Sequence, residues 1–232
     1  MKIAVINPNA TVSMTDKIAA TARSVCAPGV EIEARTGIGA PVSIEGHYDE
    51  AMAMPKLLEQ VREAEAGKAD AIVVACFDDP GLGACREIAT GPVVGLCEAA
   101  VKAASMIATS FSVITTLPRS APIIEELVRR YGLEHQCRKV RSAAIPVLAL
   151  EEPGSNARIQ VRDEILRAIE EDRCEAVVLG CAGMSDLVEW LSEETGIPVI
   201  DGVSVATKFA EALVGAGLKT SKIGAYAAPN PK

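Results

Sequence analysis

No apolar run in this 232-residue chain approaches the ~18 to 20 residues that a helix needs to cross a bilayer. The opening stretch MKIAVINPNA turns polar too early for a signal peptide, so a cytoplasmic protein is expected. There is no basic stripe: 31 acidic side chains against 23 basic ones give a net charge of −8. The acids are scattered over helical stretches such as Glu59 to Glu65 and Asp163 to Asp172, a pattern that serves solubility and argues against nucleic acid as a partner. Histidine is scarce, with only His47 and His135, and no CxxC pair accompanies them, so no zinc site is expected. A phosphate-cradling glycine loop is also missing. Seven cysteines make an odd number in a chain without export signals, which disfavours a disulfide framework and leaves the thiols to be explained individually.

What is present is 49 % hydrophobic residues, enough for a substantial core, in an alternating order. The segments KIAVIN, VEIEAR, DAIVVAC, PVVGL, FSVITT, SAAIPVL, EAVVLGC and PVIDG read as β-strands. Most are followed by amphipathic stretches, clearest at Met52 to Ala66 and Asn156 to Glu171, where apolar residues recur every three or four positions. Strands alternating with helices predict an α/β class with parallel sheets covered by helices.

The order also repeats. Asp70 to Cys76 (DAIVVAC) matches Glu175 to Cys181 (EAVVLGC) position for position in character. Each cysteine leads through a short helix to a proline-opened strand, at Pro92 and Pro198, at spacings that differ by a single residue. Helices over Glu98 to Ala108 and Val203 to Leu213 follow, and the strand from Ile3 pairs with the strand from Ser112. The pattern predicts two similar lobes, each a four-stranded parallel sheet flanked by helices and related by a pseudo-twofold axis. The expected division is residues 1–98 for the first lobe and 99–205 for the second. The tail, 206–232, with a weak strand at Lys222 to Tyr226, is expected to return to the first.

Open parallel sheets bind ligands beyond the carboxyl ends of their strands, which is where Cys76 and Cys181 fall. A twofold relation would turn the two thiols into one cleft from opposite sides. Inverting a carbon stereocentre needs a base on one face and a proton donor on the other. A thiolate and a thiol meet that need, with the thiol pKa open to lowering at a helix start. Cysteine is ordinarily a small buried hydrophobe. That is the expected role of Cys26, Cys85, Cys97, Cys137 and Cys174, which have no counterpart in the opposite half. Cysteine at equivalent positions of both copies, each followed at once by loop-like residues, points instead to chemistry. Asp78 and Asp79, ahead of Pro80, read as helix-capping residues.

Five ordered motifs, INPNAT at 6–11, SIEGHYDEA at 43–51, ACFDDPGL at 75–82, VITTLPR at 113–119 and LGCAGM at 179–184, make the chain resemble the aspartate/glutamate/hydantoin racemase family, in its hydantoin and allantoin racemase branch. The resemblance runs over essentially the whole length. It implies a cofactor-independent isomerase with no cofactor and no metal, Cys76 and Cys181 as catalytic acid and base, a small-molecule substrate, no membrane partner and a homo-oligomer. By position it places Asn9, Ser43, Ile44, Phe77, Thr115, Thr116, Ala182 and Gly183 around the substrate. Asn9 also suits an Asx-turn or an N-cap. Ala10 departs from the branch, where threonine or serine commonly follows the second asparagine, and removes a hydroxyl from that position. Arg119 is the only arginine or lysine in the motif loops, which favours a neutral hydantoin-type ring, inverted at its C5 carbon, over an amino acid with two carboxylates. The alternatives are an aspartate or glutamate racemase, a maleate-type cis-trans isomerase, and a non-catalytic small-molecule-binding protein, against which the paired thiols argue.

Overall fold

In a computed structural model, which describes residues 1–150, 152 and 154–230, the chain forms two four-stranded, all-parallel sheets. The first contains β1 (Lys2–Asn7), β2 (Glu31–Thr36), β3 (Ala71–Val74) and β4 (Val93–Gly95) in the order β2-β1-β3-β4. The second contains β5 (Phe111–Thr115), β6 (Cys137–Ser142), β7 (Ala176–Leu179) and β8 (Val199–Asp201) in the order β6-β5-β7-β8. The two orders are the same when the halves are superposed in chain order, as the internal repeat requires. Among the described residues, eight α-helices connect and cover them: α1 (Val12–Val25), α2 (His47–Ala66), α3 (Leu82–Ile88), α4 (Leu96–Ile107), α5 (Ala121–Arg130), α6 (Ala157–Asp172), α7 (Val188–Thr195) and α8 (Gly202–Gly215). None of the described helices is long and apolar enough to cross a membrane.

The central strands are buried on both faces, so they read as continuous apolar runs. Along β1, Ile3 and Val5 enter the core between the sheets, while Ala4 and Ile6 point outward under α2. The second sheet is covered on its outer face by α6 and α7 through Val161, Ile165 and Leu191. The inner core joins both sheets, with Val73, Val94, Phe111, Val113 and Val178 packed around Ala99, Ala100 and Ala104 of α4 and Val203, Ala206 and Ala210 of α8.

The inner helices exchange places. α4, which follows the first sheet, packs on β7 and β8, and α8, which follows the second, packs on β3 and β4. They meet each other near their starts, where a Cβ on Gly202 would lie 2.6 Å from Leu96 Cβ. Any side chain there would force the pair apart. The tail returns to the first sheet's side: Thr220 donates to the carbonyls of Thr90 and Gly91, and Lys222 to those of Arg86 and Glu87.

Two expected strands are not found. The segment SAAIPVL is not β6, which ends at Ser142 and is built instead from the polar run CRKVRS. Pro146 has no N–H to give a ladder, and Ala144 adopts φ 55°, outside extended space. Its apolar residues are buried without a sheet, Ala143 and Ile145 in the outer core of the second lobe and Val147 in the inner one. The weak strand at Lys222 to Tyr226 is a short 3-10 turn over Gly224–Tyr226.

Candidate active site

Cys76 and Cys181 lie just past the ends of β3 and β7, and the two loops that carry them are built alike. Ala75 N–H donates to the Ile6 carbonyl at 2.8 Å, and Gly180 N–H to the Ile114 carbonyl at 2.8 Å, so each loop is fastened to the end of its central strand. Each cysteine carbonyl then accepts from the residue three positions on, Asp79 N–H at 3.1 Å and Met184 N–H at 3.1 Å. Both thiols are half-buried and line one small cavity between the lobes.

Of the positions implied by the resemblance, Asn9, Ile44, Phe77, Thr115, Thr116 and Ala182 share that cavity with the cysteines. Ser43 and Gly183 stand beside it. Ser43 hydroxyl bonds the Glu45 carboxylate at 3.2 Å, and Gly183 backs the Cys181 sulfur, which would be 3.7 Å from a Cβ placed there. Met14, Ala75, Asp78, Ser120, Val147 and Gly180 complete the wall and were not anticipated. Met14, Ser120 and Val147 come from outside the strand-end loops that the doubly wound rule points to, so nothing in the local pattern marks them.

Asn9 makes the anticipated Asx-turn. Its Oδ1 accepts Thr11 N–H at 2.9 Å, an Asx-turn, and the Asn7 amide at 2.9 Å. Asn7 Nδ2 also donates to Thr15 Oγ1 at 3.0 Å, so the loop rests on a buried polar network. Asn9 Nδ2 reaches only the Met14 sulfur at 3.3 Å, a weak acceptor, and stays available to a better one. Thr115 hydroxyl is used on the Gly180 carbonyl at 3.2 Å, whereas those of Thr116 and Ser120 bond no described residue.

The electrostatics depart from the expectation of a lowered thiol pKa. No regular helix starts at Cys76, since α3 begins only at Leu82. Burial pushes the Cys76 thiol well above its ordinary value, and the charges of Asp78, Cys181 and Asp79 add to the effect, while Asp78 N–H at the sulfur opposes it. Asp78 and Asp79 are both raised to about 7, chiefly by burial. Asp79 does cap a helix, but not the one after Pro80. It accepts Cys97 N–H at 3.1 Å and Glu98 N–H at 2.8 Å and so closes the start of α4. Its Oδ1 occupies the space beside Gly95, where a Cβ would come within 2.4 Å.

No lysine, arginine or histidine stands on the cavity wall among the described residues, and no group of three potential metal ligands occurs among them. Arg119 packs its guanidinium against Gly46.

Two similar α/β lobes, each bringing a cysteine at a strand end to one shared cavity, define the class of fold to which this protein belongs. Residues 3–210 match the model of the Asp/Glu/Hydantoin racemase family, and the chain belongs to that family. It is 54 % identical over 232 residues to a hydantoin racemase of Rhizobium meliloti, covering all of this chain and 96 % of that one. A second hydantoin racemase, from Pseudomonas sp. (strain NS671), is 44 % identical over the full chain and 93 % of its own length. The solved allantoin racemase of Klebsiella pneumoniae superposes with a TM-score of 0.98 at 47 % identity, covering 100 % of this chain and 95 % of that one. A glutamate racemase of Francisella tularensis shares the fold at 18 % identity and a TM-score of 0.68.

Proposed function

We propose that this chain is a hydantoin- or allantoin-type racemase that inverts the C5 carbon of the ring by proton exchange between Cys76 and Cys181. The observation that carries this reading is the composition of the cavity wall, with a thiol from each lobe and no cation. An amino acid with two carboxylates would require cationic partners at that wall, whereas a ring with carbonyls and N–H groups pairs with amides, hydroxyls and backbone. The Asn9 amide, held only by the Met14 sulfur, and the hydroxyls of Thr116 and Ser120 fit such a ring. The backbone of the two cysteine turns supplies donors for the enolate-like charge that develops as the C–H bond breaks. For the enantiomer whose proton faces Cys181, that thiolate is the base and Cys76 the proton donor, and the other enantiomer reverses the roles.

Single enantiomers of a 5-alkylhydantoin, allantoin, aspartate and glutamate, followed by circular dichroism, test the substrate class. Racemisation is expected for the rings alone. For the mechanism, Cys76→Ser and Cys181→Ser should each lower racemisation by about 10³-fold or more, because a serine hydroxyl is a far weaker acid than a thiol. In deuterium oxide, mass spectrometry should show each variant still exchanging the proton of one enantiomer, and the two variants should choose opposite enantiomers. Exchange of the same enantiomer by both, or full racemisation by either, rules out one thiol per face.

A further inference from the structure

Asp78 is the one charged side chain on the wall of the thiol cavity among the described residues. It is 8 % exposed, and its carboxyl bonds no described residue. A buried carboxyl without donors is unfavourable, so packing gives no reason for it to be there. The same side chain lines a second cavity, of about 460 Å³, enclosed by the starts of α2 and α3, by α5 and by the tail. Asp78 is the single described residue common to both walls. The wall of the second cavity is polar and also carries the exposed His47, Glu50, Glu126 and Tyr131. Its two arginines do not neutralise Asp78, because Arg86 is bonded to Glu98 at 2.5 Å and Arg130 to Glu126 at 3.0 Å.

A two-base racemisation creates a need for such a connection. After Cys181 has taken a proton from the substrate and Cys76 has given one, the enzyme is left as Cys181 thiol and Cys76 thiolate, the reverse of its starting form. A second turnover in the same direction requires a proton to reach Cys76 while Cys181 loses one. We propose that Asp78 is the relay that returns a proton to Cys76 from the second cavity. The protonated carboxyl gives its hydrogen to the Cys76 sulfur, breaking O–H and forming S–H, with the electron pair left on the carboxylate. The carboxylate then takes a proton from hydronium or a buffer acid in the second cavity. Meanwhile the Cys181 S–H breaks and its proton passes to water or a buffer base entering the thiol cavity, leaving the sulfur as thiolate. Asp78 N–H, directed at the same sulfur, keeps the Asp78 loop against Cys76 while this happens. A carboxyl that titrates at about 7 has both forms available at neutral pH, as a relay needs. Asp79, the other buried acid nearby, is occupied by Tyr131 and the start of α4.

This inference rests on the two-thiol reading. Its test is the full-length Asp78→Asn variant in one-direction racemisation of a single 5-alkylhydantoin enantiomer. Return of the proton limits only at saturating substrate, so kcat should fall by about tenfold while kcat/KM falls by no more than about threefold. Added imidazole, a small proton carrier, should restore kcat in a concentration-dependent way. Parallel loss of kcat and kcat/KM without imidazole rescue, or an unchanged kcat, overturns the relay. Should Asp78→Asn fail to fold by circular dichroism, Asp78→Glu decides. It should give an intermediate kcat with a weaker imidazole response, and a loss that imidazole does not touch counts against the proposal. Retained racemisation in Cys76→Ser would sink the two-thiol reading itself, whereas essential cysteines with an unimpaired Asp78→Asn would sink the relay alone.

Discussion

Asp79 accepts three hydrogen bonds, from Cys97 N–H, Glu98 N–H and, at 2.7 Å, the Tyr131 hydroxyl, in a place where burial works against its charge. Burial outweighs the bonds, and its carboxyl titrates at about 7. The unfolded chain has an ordinary value near 3.9. Between these two values the folded state binds the extra proton, so stability from this group is present at low pH and is lost as pH rises through about 7. Asp78 has the same direction, so the test for Asp79 is a difference from a variant. Between pH 5 and pH 8, urea unfolding should show the native chain losing about 2 kcal/mol relative to Asp79→Asn. A difference independent of pH would mean that Asp79 ionisation is not linked to folding. At this scale the sequence was only half legible: DDP announces a cap, but the helix it caps begins at Leu96, and only the fold brings them together.

Among the elements, β6 shows why a strand can be invisible in sequence. It is an edge strand whose Arg138 and Lys139 face solvent, so the apolar alternation expected of a strand is absent. What holds it is Arg141, 7 % exposed, which reaches into α6 to bond Glu164 at 2.9 Å and Asp172 at 2.6 Å, with Glu171 as a third partner. These bonds hold the Asp172 and Glu171 carboxyls below the ordinary range. Arg141→Met should destabilise the fold by about 3 kcal/mol, because it leaves Asp172 with only the Ser112 hydroxyl and Glu164 with only Arg167. The network lies away from the thiol cavity, so kcat of the folded fraction should be unchanged, and chemical denaturation with activity measured in native buffer separates the two. The central strands β1, β3, β5 and β7 were legible because both of their faces are apolar. The segment after β6 misled because its buried residues alternate without forming a ladder.

For the whole molecule, the duplication, the parallel sheets and the meeting of Cys76 with Cys181 were all readable, since each follows from a repeated order of strands and the strand-end rule. The exchange of α4 and α8 was not. Periodicity reveals that a helix has an apolar face but does not say which sheet that face covers. Because each sheet depends on a helix from the other half, neither half has a complete core of its own. Calorimetry should therefore record one transition, with van't Hoff and calorimetric enthalpies equal, and two resolved transitions would show that the halves melt independently.

The starts of the two crossed helices also differ in kind. Asp201 caps α8 with its own side chain, accepting Ser204 N–H at 2.8 Å, while the equivalent position before α4 is Gly95, served by Asp79 from the Cys76 loop. On one side, then, the helix that covers the opposite sheet is tied to the loop bearing a thiol, and on the other it is self-sufficient. A half-length chain with this architecture could oppose two thiols only by intertwining with a copy of itself, each copy lending its last helix to the other. Joining two such copies end to end frees them to diverge: one can surrender its own cap and make the thiol loop a strut of the neighbouring lobe, so that the cleft's width becomes an inherited dimension of the joined molecule.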